Sequence, residues 1–154
     1  MDRLYFEDFP PGEIVEYGDT PVTAAAIVEF ARQFDPQPFH LGQEAARDSL
    51  AGELIASGWH TAAMLARMNC DEFLGRAASQ GEPGVEELDW IKPVKPGDRL
   101  RARRATLSAR PARSRPALGV VEFRFDVVNQ NAEIVMTQKR AIFFLRRVAG
   151  EAAG

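Results

Sequence analysis

Across residues 58–66 the chain carries no formally charged side chain, and Trp59, Ala62, Ala63, Met64, Leu65 and Ala66 leave almost no polar face. A helix that is apolar nearly all round has to be covered by other elements. Ser57 is a good N-cap for it, and residues 69–74 continue it as far as Gly75. From Gly84 onward the pattern changes to strand, over 85–93, 99–110, 118–129 and 133–147, broken by Pro96-Gly97-Asp98, an Arg/Pro loop and Gln130-Asn131-Ala132. In the third of these segments Val121, Phe123, Phe125 and Val127 alternate with Glu122, Arg124 and Asp126, as in an antiparallel strand with one dry face and one wet face. Consecutive strands of this length are expected to form a meander. An antiparallel sheet curling around a single apolar helix satisfies both constraints, so an α+β fold is expected.

The first part of the chain supplies one more strand. Pro10-Pro11-Gly12 turns into a short alternating strand over 13–17. Ile27, Phe30, Ala31 and Phe34 then recur at helical spacing behind Thr23, a plausible N-cap. Pro36 and Pro38 end that helix and leave Asp35 at its terminus, and a short polar helix over 41–48 leads toward Ser57-Gly58. With 154 residues, 45% hydrophobic and 27% charged, the chain is sized for one domain, expected over 1–148 with a short tail at 149–154. Nineteen basic against 22 acidic side chains give a net charge of −3, which disfavours nucleic acid as a partner. No run is long enough to span a membrane, and the start lacks the order of a signal peptide, so a cytoplasmic location is expected. The single cysteine, Cys70, excludes an internal disulfide.

Three motifs occur in order: Phe34-Asp35-Pro36-Gln37-Pro38-Phe39-His40, Ile55-Ala56-Ser57-Gly58-Trp59-His60, and Lys92-Pro93-Val94-Lys95-Pro96-Gly97-Asp98. With them the chain resembles the MaoC-like dehydratases, relatives of the (R)-specific enoyl-CoA hydratases, which have the hot-dog fold. The resemblance runs from Phe6-Glu7-Asp8-Phe9 to the last strand. The Asp-to-His segment is its most specific part, whereas the Pro-Val-x-Pro-Gly-Asp turn marks hot-dog proteins in general. It implies a single hot-dog domain, with a five-stranded antiparallel sheet wrapped around the apolar helix. It also implies a catalytic pair of Asp35 and His40, a thioester oxygen bound by the Gly58 amide, and Gln37 and Ser57 on the substrate side. The best-known hydratases have asparagine at the position of Gln37 and histidine at that of Ser57.

Hydrating an enoyl thioester requires a group to take a proton from water, a proton donor for the alpha carbon, and stabilisation of the enolate-like oxygen between them. A carboxylate, an imidazole and a helix N-terminus supply these. The expected activity is therefore hydration of a trans-2-enoyl-CoA, or dehydration of a 3-hydroxyacyl-CoA, with no metal and no cofactor beyond the coenzyme A of the substrate. A hot-dog acyl-CoA thioesterase is an alternative, disfavoured because residues 59–69 contain no carboxylate. A non-catalytic acyl-CoA-binding module is another. Simpler readings stand beside several of these residues. Asp35 fits a turn, His60 a hydrogen-bonded core position, and the only ligand-like pairs, His40 with Glu44 and His60 with Cys70, do not make a metal site. Arg113 and Arg115 in the Arg/Pro loop are candidates for coenzyme A phosphate, as are Arg101, Arg103, Arg104 and Arg110. The strand arginines also fit a solvated face shared with Glu122, Arg124 and Asp126. Open sheet edges point to a homodimer or a dimer of dimers, with the acyl tunnel between protomers.

Overall fold

A computed structural model describes residues 2–147, so Val148 and the tail expected at 149–154 lie outside the described residues. Its elements in chain order are β1 (Ile14–Pro21), α1 (Ala24–Phe34), α2 (Gln43–Ala46), α3 (Gly58–Glu72), β2 (Val85–Trp90), β3 (Arg99–Pro111), β4 (Leu118–Val128) and β5 (Ile134–Leu145). All five strands are antiparallel to their neighbours and form one sheet in the order β1-β3-β4-β5-β2. The sheet packs against α3, in the arrangement expected of a hot-dog domain. No described helix is long and apolar enough to cross a membrane.

The connection order differs from a simple meander. Strands β3, β4 and β5 follow one another as hairpins, but β2 pairs with β5 and not with β3. The reason lies in residues 91–98. Pro93 and Pro96 cannot donate ladder hydrogen bonds. This segment leaves β5 through Ile91 N–H to Val135 O at 2.8 Å, passes Ala56, whose N–H reaches Val94 O at 2.7 Å, and arrives at β1 where Val22 N–H meets Asp98 O at 2.8 Å. It thus crosses the end of the sheet and anchors the residue just before Ser57.

The strand pattern in β4 is realised: Val121, Phe123, Phe125 and Val127 are all buried. Phe9, Phe73, Phe123 and Phe144 meet in the core with ring centroids 4.5 to 6.2 Å apart, close enough for edge and offset contacts. The first strand is longer than its expected span because a bulge between Tyr17 and Thr20 lets it continue to Pro21. The polar helix is shorter, reduced to Gln43–Ala46.

Two expectations about burial need correction. The central helix is dry on one side only, where His60, Thr61, Met64, Leu65, Met68 and Asn69 are buried, while Trp59, Ala63 and Ala66 are exposed. Within α1, Ile27 and Ala31 are buried but Phe34, last on the apolar face, is 68% exposed. Arg104 also departs from the solvated-face reading. Leu100, Ala102, Arg104 and Thr106 alternate inward along β3, so the guanidinium enters the core, over the rings of Phe9, Phe73 and Phe123 at 4.5 to 5.6 Å. One nitrogen is paired to Glu13 at 2.9 Å. The outward-facing Arg103 stands opposite Asp126 in register, but Asp126 is buried and its ion pair is with Arg124 on its own strand at 3.1 Å, which departs from the expected cross-strand pairing on a solvated face.

Gly18 is the residue that makes the β1 bulge possible. Its φ is +87°, a left-handed conformation that disfavours side chains, and a Cβ there would run into the Met68 side chain of α3. Gly12 has φ +91° with open space around it. Gly18→Ala should therefore lose about 1 kcal/mol or more beyond what Gly12→Ala loses, because only the former also displaces a core side chain. Urea denaturation of the two variants measures the difference, and equal losses would show that Met68 yields freely.

Candidate active site

Helix α1 starts with Thr23 accepting a hydrogen bond from Ala26 N–H and ends at Asp35, whose own N–H still reaches Ala31 O at 2.9 Å. Pro36 stops further winding. A single tight turn over Pro38–His40 follows, closed by His40 N–H to Gln37 O at 2.9 Å. This turn brings the imidazole back to the carboxylate, with His40 Nε2 3.5 Å from Asp35 Oδ2. The proline-rich spacing thus acts as a stiff bracket between the two groups.

The proton inventory of the pair follows from its neighbours. His40 Nδ1 lies 2.7 Å from the carbonyl of Ile55. A carbonyl only accepts, so Nδ1 carries the hydrogen and, in the neutral ring, Nε2 presents its lone pair. Asp35 Oδ1 accepts from Gln37 Nε2 at 2.7 Å, and Oδ2 accepts from Ser57 Oγ at 2.7 Å. The Ser57 hydroxyl, followed by the Gln37 amide, holds the Asp35 carboxyl below the usual carboxylate range against a smaller opposing effect of burial, and nearby His40 contributes least. Asp35 is therefore ionised at neutral pH and faces another acceptor across 3.5 Å. Two acceptors so placed call for a donor with two hydrogens, and water is the simplest.

Ser57 is 0% exposed, and its oxygen both donates to Asp35 and accepts from Trp59 N–H at 3.2 Å as the N-cap of α3. Both hydrogen-bonding functions are thus engaged within the protein. Ser57 and Gln37, expected on the substrate side, both bond the carboxylate, and Gln37 also lines the cavity beside it. Gly58, at the first turn of α3, lines the same cavity as Asp35 and His40, a recess of about 370 Å³ whose other walls include Ile55, Trp90 and Pro93. A second recess of about 370 Å³, almost wholly apolar and walled by Phe39 and Leu50, shares Ile55 and Pro93 with it. A larger groove of about 690 Å³ on the outer side of β1, β3 and β4 contains neither member of the pair.

The remaining candidates fall elsewhere. His60 is buried and stacked on Phe30 at 4.7 Å, and its Nδ1 has no partner among the described residues, so it is a packed core histidine without the expected hydrogen bond at that atom. Burial lowers its pKa, which keeps it neutral at pH 7. Arg113 and Arg115 do not join the site within one chain. Their loop precedes Leu118, which pairs with Leu145, whereas Trp90 pairs with Met136. Those partners are nine positions apart on β5, about 30 Å at the strand rise. Cys70 is exposed, away from His60, and no three His, Cys, Asp or Glu side chains among the described residues are grouped to hold a metal. The sequence reading missed Trp90 as a site residue. The signal was available: the chain has two tryptophans, one within the second motif and the other two residues before the third.

The fold and this constellation agree with comparisons to known proteins. The family model for the MaoC like domain matches residues 8–125. The chain belongs to the MaoC-like family. It is 42% identical to a MaoC-like dehydratase from Rhodospirillum rubrum, whose crystal structure superposes with a TM-score of 0.88 over 94% of this chain and 99% of that one. It is 28% identical over 144 residues to the uncharacterized protein YdeM of Bacillus subtilis, covering 93% of this chain and all of that protein. The (R)-hydratase PhaJ1 of Pseudomonas aeruginosa, at 20% identity, shares the fold with a TM-score of 0.73 over 99% of this chain and 95% of that one. Membership of this family supports hydration or dehydration as the general chemistry.

Two consequences of the Ser57 bridge can be measured. Because the folded pKa of Asp35 is depressed, its ionisation stabilises the fold above the unfolded carboxylate value, near 3.9, and that contribution is lost as pH falls through the folded value. Ser57→Ala should raise the Asp35 pKa, moving this loss to higher pH, and should cost about 1 kcal/mol for the lost N-cap. Carboxyl ¹³C NMR titration of Asp35 and thermal melts read the two effects separately. An unshifted titration would show that Ser57 does not tune the carboxylate.

Proposed function

We propose that the chain hydrates a trans-2-enoyl-CoA, or catalyses the reverse dehydration of a 3-hydroxyacyl-CoA, by holding one water between Asp35 and His40. The observation that supports this most directly is the pair itself, in which an ionised carboxylate and an imidazole lone pair face each other 3.5 Å apart in a cavity. Water placed there gives one hydrogen to each group. In the forward direction its oxygen bonds to the beta carbon while one proton passes to the pair, and the electrons of the double bond move toward the thioester oxygen. A proton then returns to the alpha carbon and the carbonyl re-forms, so the net change is the addition of water. The lone pair on His40 Nε2 takes the proton. Asp35, with its pKa lowered, orients the water and stabilises positive charge on the ring. The Gly58 amide, at the N-terminus of α3 in the same cavity, donates to the thioester oxygen as negative charge develops on it.

Thioester hydrolysis fits less well. The carboxylates on α3 are Asp71 and Glu72 at its far end, and Asp71 is bonded to Arg67. Crotonyl-CoA and longer enoyl-CoAs separate the possibilities: loss of conjugated absorbance for a hydratase, release of free thiol for a thioesterase, neither for a binding module. Asp35→Asn and His40→Gln should each lower the hydration rate by about 10² to 10⁴-fold without loss of folding. The double variant should be far less damaging than the product of the singles, because both act on one water. Full activity in either single variant would remove this mechanism.

The homodimer belongs to the same proposal. Strand β2 is an open edge carrying exposed Val85 and Trp90, with exposed Ile91 just beyond it, a surface that proteins commonly cover. If two β2 strands pair antiparallel about a two-fold axis, Val85 of one chain falls beside Trp90 of the other. The Leu145 end of the second sheet then lies at the Trp90 end of the first, carrying the Arg113 and Arg115 loop toward the neighbouring site. Light scattering at low micromolar concentration should give a dimer or a multiple of it, and a stable, active 17.0 kDa monomer would exclude the arrangement. Alanine at Arg113 and Arg115 should raise KM for a coenzyme A thioester and spare a pantetheine thioester, most visibly at low salt. Equal effects on both substrates would place the loop outside the site.

A further inference from the structure

Trp90 stands against the one backbone group that the mechanism assigns to the thioester oxygen. A Cβ built on Gly58 would collide with the five-membered ring of Trp90, meeting Cε2 and Cδ2 and lying 2.5 Å from Nε1. By ordinary bond lengths, this places the indole nitrogen within about 4 Å of the Gly58 Cα and within about 5 Å of its amide nitrogen. An oxygen accepting from two N–H groups at about 2.9 Å each can serve donors up to about 5.8 Å apart. The two nitrogens are therefore close enough to share one acceptor.

Three further facts bear on the indole. Its N–H only donates, and no acceptor for it exists among the described residues. Trp90 lines the cavity that holds Asp35 and His40 and is only partly covered within one chain, at 46% exposed. Finally, Trp59 packs edge-on against it with centroids 5.0 Å apart and planes at 85°, and Trp59 itself is fixed through its N–H to Ser57. The ring is thus held from the same turn of α3 that caps the helix and bonds the carboxylate.

We propose that the Trp90 indole N–H is a second donor to the thioester carbonyl oxygen, acting beside the Gly58 amide. This inference rests on the reading of the cavity as a site for acyl thioesters. A backbone amide and an indole N–H converging on one oxygen stabilise the enolate without introducing a titrating group. The requirement for glycine at position 58 then has two parts: the amide serves the oxygen, and the missing side chain admits the donor next to it.

The test separates an indole that donates from one that is merely an apolar wall. Trp90→Phe keeps a ring and removes the N–H. It should lower kcat for crotonyl-CoA on the order of 10²-fold with little change in KM. An unchanged kcat in a folded Trp90→Phe protein would overturn the proposal. A second measurement needs neither that variant nor turnover. In Trp59→Phe protein, Trp90 is the one tryptophan left of two. Its indole ¹H–¹⁵N resonance should move downfield when butyryl-CoA, which cannot be hydrated, binds. Butyryl-CoA that binds without moving this resonance downfield overturns the proposal and leaves the acyl thioester reading intact. Failure of the wild-type chain to bind butyryl-CoA or to hydrate crotonyl-CoA removes both.

Discussion

The hydroxyl of Ser57 ties the site together. It accepts from Trp59 N–H, so it begins α3, and it donates to Asp35 Oδ2, so it fixes the end of α1. A fully buried hydroxyl that used only one of these functions would leave a desolvated group without a partner. With both satisfied, two helices that make few direct contacts share a single hydrogen-bonded joint. The ionised state of Asp35, its distance to His40 and the placement of the Gly58 turn all refer to that joint. The His40 ring is set by the Ile55 carbonyl, two residues earlier on the same approach to α3. The Asp35–His40 pair and the first turn of α3 are consequently positioned by one short stretch of chain, residues 55–58.

Some of this arrangement was legible in the amino-acid order and some was not. The Asp35-to-His40 bracket could be read because prolines restrict the backbone locally, and local restriction leaves a local signature. The N-caps Thr23 and Ser57 were legible for the same reason. The bond between Ser57 and Asp35 was not, since it joins residues 22 positions apart and nothing in serine's immediate surroundings announces it. The neighbour of β2 was likewise invisible, because strand patterns show which face is dry but not which strand lies alongside. Arg104 is a different kind of miss. Its place in the alternation Leu100, Ala102, Arg104, Thr106 pointed inward, but its charge argued for solvent, and here the period prevailed. Three phenylalanine rings and Glu13 make the burial tolerable.

The tryptophans show how a residue can be conspicuous in composition and still go unassigned. Trp59 was read as part of the apolar helix, yet it is 58% exposed and serves as a support for Trp90. Helix amphipathicity is judged from one element at a time, whereas this contact joins the start of α3 to an edge strand. The family resemblance did not supply it either, since its second motif, Ile55 to His60, includes Trp59, but its third begins at Lys92, two residues beyond Trp90.

The placement of β5 bears on how the chain comes to be folded at all. β5 is the last strand in the chain order, yet it is the sole described partner of β2, and Arg147 just beyond it binds Asp8 and Glu7 near the other end of the chain. During synthesis, therefore, β2 has no described strand to pair with until β5 has left the ribosome, and the contacts of Glu7 and Asp8 with Arg147 wait as well. Closure of the sheet is a long-range, late event. A nascent chain stalled before that point would present the apolar face of α3 and an unpartnered strand to solvent or to chaperones. Shortening of the last strand should accordingly affect yield in cells before it affects any step at Asp35 and His40.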